Sequence, residues 1–98
     1  MPWYKVPFTS NQVAEGEHIA LQKKFEKTFI TLGAPKEMAL FRSTTPISED
    51  EFEIIYFTPI SSRYARELIL LYSGIPCERP HKDDVALLVG HQEDWEFM

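Results

Sequence analysis

The sequence predicts a small α+β domain of the ferredoxin-like type, with a four-stranded antiparallel sheet and two helices on one face. Three observations support this fold class. Apolar patterning follows the order β-α-β-β-α-β, which is that of the split β-α-β fold. Glycine and proline follow both helical segments, where a helix should end. The chain of 98 residues has room for one hydrophobic core, so we expect a single domain over 1–98.

The first half of the chain predicts a strand followed by a helix. Residues 3–9 are rich in aromatic and β-branched side chains, although Pro7 cannot donate a ladder hydrogen bond and indicates a bulge or a strand end. Residues 17–32 carry apolar side chains at helical spacing between lysines, glutamate and glutamine. Gly33 and Pro35 then end this helix, which is the clearest element in the sequence.

The middle of the chain predicts a hairpin. Residues 37–43 alternate between two faces, residues 44–50 form a polar loop with one proline, and residues 51–58 form the second strand. With right-handed connections, we expect the first and third strands to lie side by side and parallel at the centre of the sheet.

The last third predicts a second helix and a fourth strand. A helix starting at Ser61 or Ser62 should run to Ser73, with Gly74 in the C-cap position. Residues 77–84 are predicted to form a polar loop, and residues 84–90 a strand.

Both faces of the predicted sheet are apolar, and this observation leads to the predicted assembly. One face carries residues such as Ile54 and Tyr56, and the other carries Ile55 and Phe57. Two helices cover one face only, and a bare apolar sheet is rare in monomers. We therefore expect a homo-oligomer, most simply a dimer that packs sheet against sheet as in a dimeric α/β barrel. The alternative is that the acidic aromatic tail, 92–98, covers the second face.

Composition excludes several partners. The net charge of -5 argues against a large phosphate-binding surface, so we expect no nucleic-acid partner. The apolar runs are too short to span a membrane, and the first residues lack the features of a secretory signal, so we expect a cytoplasmic protein without a membrane partner. Cys77 is the single cysteine, which excludes an intramolecular disulfide.

Hydroxyl groups and one arginine at the predicted helix starts could bind an anion. In the expected topology they meet at one edge of the sheet. The candidates are Ser10, Asn11, Thr58, Ser61, Ser62 and Arg63. The same hydroxyls can also serve only as helix caps. The arrangement is similar to the phosphate site of acylphosphatase-like domains, but their glycine-rich, arginine-containing loop is missing, so we do not expect that activity.

A metal site has weak support. Cys77 and His81 have a plausible ligand spacing, and His18, Asp83 and His91 are further candidates, but no second ligand pair accompanies the first. We therefore expect no metal and no cofactor.

Arg42 and Tyr56 are the leading candidates for a ligand pocket. Each shares a strand face with apolar residues, and the two strands are paired in the predicted hairpin. Polar groups among apolar neighbours can orient a small ligand. Arg42 can equally reach the sheet edge and pair with an acid. In layout the predicted assembly resembles the dimeric α/β barrels. These include cofactor-free monooxygenases and regulatory ligand binders, so the resemblance implies one of these two functions.

The start of the chain suggests one further resemblance. Pro2 follows the initiator Met, and the tautomerase superfamily uses an N-terminal proline as a base. Met1 would block that amine, and a Met-Pro start is common.

These observations predict a small-molecule-binding or regulatory domain without intrinsic catalysis. The alternatives are a small cofactor-free enzyme, monooxygenase-like or tautomerase-like, that acts on an apolar or aromatic compound, and a protein-interaction module.

Overall fold

The computed structural model describes residues 3–36, 38–46, 48–59 and 63–91. Pro2, Ser61, Ser62 and the tail 92–98 lie outside these described residues. Five strands and three α-helices are present in the described part of the chain. They are β1 (Trp3–Phe8), α1 (Ser10–Ala14), α2 (Glu17–Thr31), β2 (Leu40–Pro46), β3 (Phe52–Pro59), α3 (Arg63–Leu71), β4 (Ile75–Cys77) and β5 (Ala86–Val89).

The strands form one sheet in the order β4-β1-β3-β2-β5, with every neighbouring pair antiparallel. The predicted four-stranded ferredoxin-like sheet is therefore wrong. β1 and β3 are neighbours as expected, but they are antiparallel rather than parallel, with Tyr4 opposite Thr58 and Phe8 opposite Ile54. The hairpin explains this direction, because it reverses β3 relative to β2, and β2 runs in the same direction as β1.

The strand missed by the sequence analysis is β4. It lies beside β1 at one edge of the sheet, and its residue Cys77 begins the segment predicted as a loop. Pro76 at its centre made a strand unexpected there, because proline is rare in strands except at the edge of a sheet. β4 is such an edge strand. The last strand, β5, pairs with β2 at the opposite edge of the sheet.

The helix predicted over 17–32 is confirmed as α2. It begins after Gly16, whose φ of +79° reverses the chain after the short helix α1, and it ends before Gly33 with φ +80°. Both backbone conformations favour glycine because other residues are strained there. α2 buries Leu21 and Phe25 completely against the sheet.

The main core lies between the helices and one face of the sheet. Its strand residues include Val6 and Tyr56, and its helix residues include Phe25 and Ile69. Beside this core the buried Thr58 hydroxyl donates to the carbonyl of Ala39 at 2.7 Å, which ties β3 to the residue just before β2. Both polar atoms are thereby satisfied away from water.

A second apolar cluster lies on the other face of the sheet, as the alternation predicted. Trp3 and Phe41 form its buried centre, with ring centroids 5.7 Å apart. Ala39, Phe57, Cys77, Val85 and Leu87 are partly buried around them. Since one chain already covers Trp3 and Phe41, the physical reason for a sheet-to-sheet dimer is weaker than the sequence suggested.

The β2–β5 pairing contains an irregularity between Leu40 and Phe41. The register shift changes the face of the end of β5, so that Val89 joins the main core while Leu87 packs on the second face. Simple alternation had placed these two residues together.

Candidate functional site

Arg42 and Tyr56 are direct partners across β2 and β3, so the predicted closeness of the two is confirmed. They lie on the sheet face that the helices cover. Tyr56 is fully buried, and its hydroxyl donates to Oε1 of Gln22 on α2 at 3.3 Å. Burial raises the pKa of Tyr56, and the positive charge of Arg42 opposes this rise. The pair therefore joins α2 to the sheet at a place with little access for a ligand.

The hydroxyl groups predicted to meet at one sheet edge are separated. The Ser10 hydroxyl donates to the carbonyl of Phe52 at 2.8 Å and accepts the amide hydrogen of Phe52 at 2.9 Å. These two bonds place it at the start of β3, whereas Thr58 lies near its end. Arg63, at the start of α3, pairs with Glu67 at 3.2 Å on the exposed side of that helix. Because β1 and β3 are antiparallel, the predicted anion site lacks its geometric basis.

The candidate metal ligands do not converge. Within the described ranges no group of three or more His, Cys, Asp or Glu side chains is arranged to hold a metal ion. Cys77 lies half-buried in β4, where burial raises the pKa of its thiol and Lys5 opposes the rise. His81 accepts the amide hydrogen of Asp83 through Nδ1 at 3.3 Å, which caps the 3₁₀ turn Lys82–Asp84.

The two other histidines have separate structural surroundings. His91 follows β5, and its Nε2 donates to the carbonyl of Ala34 at 2.8 Å, which holds the end of β5 against the loop after α2. His18 packs edge-on against Phe8, with ring centroids 6.5 Å apart, and its Nδ1 is buried without a hydrogen-bond partner.

A groove on the second face of the sheet is the best candidate site. It has a volume of about 410 Å³ and lies between strands β2 and β3 and the segment 80–85. Its lining residues are Ser43, Thr44, Thr45, Ile55, Phe57, Pro80, His81, Asp84 and Val85. This volume lies within the range of sites that hold small molecules, about 300–1,000 Å³.

The groove combines an apolar floor with polar groups on two sides. Ile55 and Phe57 come from β3 and are half-buried. Ser43 shares the face of these residues, since it pairs directly with Ile55 across the strands. On the other side stand the imidazole of His81 and the carboxylate of Asp84, both exposed. The lining contains no lysine or arginine, so the groove favours a neutral or positively charged ligand.

Comparisons with family models, curated proteins and solved structures found no match. The function must therefore be argued from the groove and the surfaces themselves. No helix in the described part of the chain is both long and apolar enough to cross a bilayer.

Sequence reasoning identified Ile55 and Phe57 as second-face residues but missed the groove above them. Its far wall is the segment 80–85, most of which lies in the predicted polar loop 77–84. The capping contact between His81 and Asp83 organises this segment. The histidine two residues before an aspartate could have indicated this capped turn. The sequence pattern does not show, however, against which part of the sheet the turn packs.

Proposed function

We propose that this chain is a cytosolic small-molecule-binding domain whose ligand occupies the groove between β2, β3 and the segment 80–85. The observation that carries the proposal is the combination of an apolar floor with polar groups on opposite sides. Ile55 and Phe57 would contact a flat, partly apolar molecule, and polar groups at both walls would fix its orientation. The proposal assigns no catalytic step to the domain.

The charge of the groove narrows the ligand class. The backbone amide of Asp84 donates to the carbonyl of His81, but within the described residues its exposed carboxylate has no hydrogen-bond or ion-pair partner. The whole chain carries a net charge of -5. A ligand with an amine, an amidine or another hydrogen-bond donor would satisfy that carboxylate. A carboxylate-bearing ligand would be repelled by it.

The predicted rival site at Arg42 and Tyr56 has less support. Tyr56 is fully buried under α2 and already donates its hydrogen bond to Gln22. An enzyme that used this phenol would need α2 to move aside. The groove needs no such movement, because its polar groups face open space.

Two probes with one ring system and opposite charge test the proposal. Tryptamine carries an ammonium group, and indole-3-acetate carries a carboxylate. We expect tryptamine to shift the amide NMR signals of Ile55, Phe57 and Val85 with a millimolar to micromolar Kd, and indole-3-acetate to bind at least tenfold more weakly.

Two variants with the same chemical change provide the control. Asp84→Asn removes the groove carboxylate, and Asp50→Asn removes an exposed carboxylate from the loop between β2 and β3. We expect the first to weaken tryptamine binding about tenfold, as for the loss of a charge-assisted hydrogen bond, and the second to leave binding unchanged. Signal changes that map outside the groove, or equal affinities in both variants, would contradict the proposal.

A further inference from the structure

The last described residue, His91, lies against helix α2. Its ring packs on Phe29 with the ring centroids 5.7 Å apart, and its Nε2 donates to the carbonyl of Ala34 at 2.8 Å. Both contacts are made at the C-terminal end of α2, which ends at Thr31. The acidic aromatic tail, 92–98, therefore starts beside this end of the helix.

The tail starts on the flank of α2 that α3 leaves free. Glu17 of α2 lies beside Tyr72, just after α3. α3 leads into β4 at one edge of the sheet, whereas His91 follows β5 at the other edge. His91 therefore reaches Phe29 from the flank opposite to α3. Because each helical residue advances by about 100°, Ile30 lies about 100° from Phe29 in one direction and Glu17 about 120° in the other. Ile30 is thus on the flank from which the tail starts.

The outward side of α2 at this point combines an exposed apolar side chain with two cations. It forms a shallow depression of about 380 Å³, called the α2 face below, which is lined by Lys23, Glu26, Lys27, Ile30 and Thr31. Ile30 is 66% exposed. Neither lysine forms an ion pair within the described residues. Glu26 is the one acid of the lining, so the α2 face has a net positive charge.

The tail has a composition complementary to the α2 face. It contains three acids, Glu93, Asp94 and Glu96, and two large aromatic side chains, Trp95 and Phe97, with no lysine or arginine. The aromatic rings can cover an exposed isoleucine and remove it from water. Lysine side chains can pack their stems on the same rings while their ammonium groups reach the carboxylates.

The tail is also long enough to cover the α2 face. From Phe29 back to Lys23 the helix axis advances about 9 Å, at about 1.5 Å per residue. Seven extended residues span up to about 23 Å. Trp95, four residues after His91, can therefore reach Ile30 without any change in the described part of the fold.

The second sheet face is a poorer place for the tail. Its groove is lined by the carboxylate of Asp84 and by no lysine or arginine, so it would repel three further acids. Trp3 and Phe41, at the centre of that face, are already buried. Charge and exposed apolar surface together favour the α2 face instead.

We propose that the tail, 92–98, docks on the α2 face of its own chain, with Trp95 against Ile30 and its acids beside Lys23 and Lys27. The outward side of α2 is then a recognition surface for an acidic, aromatic segment. The groove on the second sheet face stays open, so the tail proposal and the ligand proposal can fail separately.

Methyl NMR of the full chain tests the position of the tail. A tryptophan ring packed on Ile30 shifts its δ-methyl signal by ring current, and Trp95→Ala should return this signal to the position of an exposed isoleucine. Ile19 is the internal control, because it is exposed on the same helix but does not line the α2 face. Its signal should be the same in both proteins. An Ile30 signal that does not respond to Trp95→Ala would overturn the proposal.

Lys27→Glu tests the charge contribution. In each protein the shift that Trp95→Ala causes at Ile30 measures the docked fraction of the tail. We expect Lys27→Glu to lower the ratio of docked to free tail about twofold to fivefold, as for the loss of an exposed ion pair. Lys24→Glu makes the same change at an exposed position of α2 outside the α2 face, and it should have a smaller effect. Equal effects would contradict the proposed placement, because the tail would then respond to net charge alone.

Dilution separates docking within one chain from an exchange of tails between two chains. A tail joined to its own binding face acts at an effective concentration of about millimolar, so the Ile30 shift should be the same at about 50 μM and about 500 μM protein. A shift that fades on dilution, together with a fall in mass by sedimentation velocity, would mean that the tail occupies the α2 face of another chain. That result would overturn the proposal.

Discussion

Tyr56 shows how one buried side chain can couple stability to pH. Its phenol lies in the core, where the ionised form would lose its hydration, so burial raises its pKa above the ordinary value of 10.0. Arg42 reduces this effect without cancelling it. Well below pH 10.0 the phenol is protonated in both the folded and the unfolded chain. Above it the unfolded chain loses the proton first, which favours unfolding.

We therefore predict that the free energy of unfolding falls as pH rises through 10.0, and that Tyr56→Phe removes part of this fall. The variant should also lose about 1 kcal/mol near neutral pH, because the hydrogen bond to Gln22 is gone. Urea unfolding followed by circular dichroism measures both effects. Parallel curves for the two proteins at high pH would show that Tyr56 does not cause the decline.

Single residues also show what the sequence could and could not predict about the site. Alternation along β3 correctly separated Tyr56 from Ile55 and Phe57, and the predicted hairpin correctly paired their strand with that of Arg42. It could not show that the helices would cover the face of Tyr56, because both faces are equally apolar. Ser61 and Ser62 lie outside the described residues, and their proposed role as ligand-binding residues stays a prediction.

At the scale of elements, the sequence predicted what local signals determine. α2 has a regular apolar stripe and ends before Gly33, so its bounds were nearly correct. β4 has three residues and a central proline, so no local signal distinguished it from a loop. The partner strand of β5 lies far from it in the sequence, and the local apolar pattern does not show which strands pair.

The end of β5 depends on Gly90. Its φ of +128° is a conformation that residues with a side chain rarely adopt. A Cβ at this position would lie 3.0 Å from Cα and Cβ of Ala39 and from the carbonyl oxygen of Met38. The glycine thus lets β5 approach the start of β2 and lets His91 reach Ala34.

We predict that Gly90→Ala destabilises the protein by about 2–4 kcal/mol, from the sum of backbone strain and close contact. Gly33→Ala is the control, because Gly33 also has positive φ but its Cβ would meet no atom within 4 Å. It should cost only about 1–2 kcal/mol. Chemical denaturation of both variants makes the comparison, and equal losses would mean that contact with Ala39 and Met38 adds nothing.

At the scale of the whole molecule, charge opposes self-association. Each chain carries a net charge of -5, so two chains repel one another as they approach. Salt screens the long-range repulsion, since the Debye length falls below about 10 Å above 0.1 M.

The strand order also has a consequence for how the protein is made. β1 lies inside the sheet between β3 and β4, yet it leaves the ribosome before both of them. At about 5–20 residues per second, its aromatic side chains and open backbone edges wait several seconds for their partners. During that time the unpaired edges of β1 are open to pairing with strands of other chains.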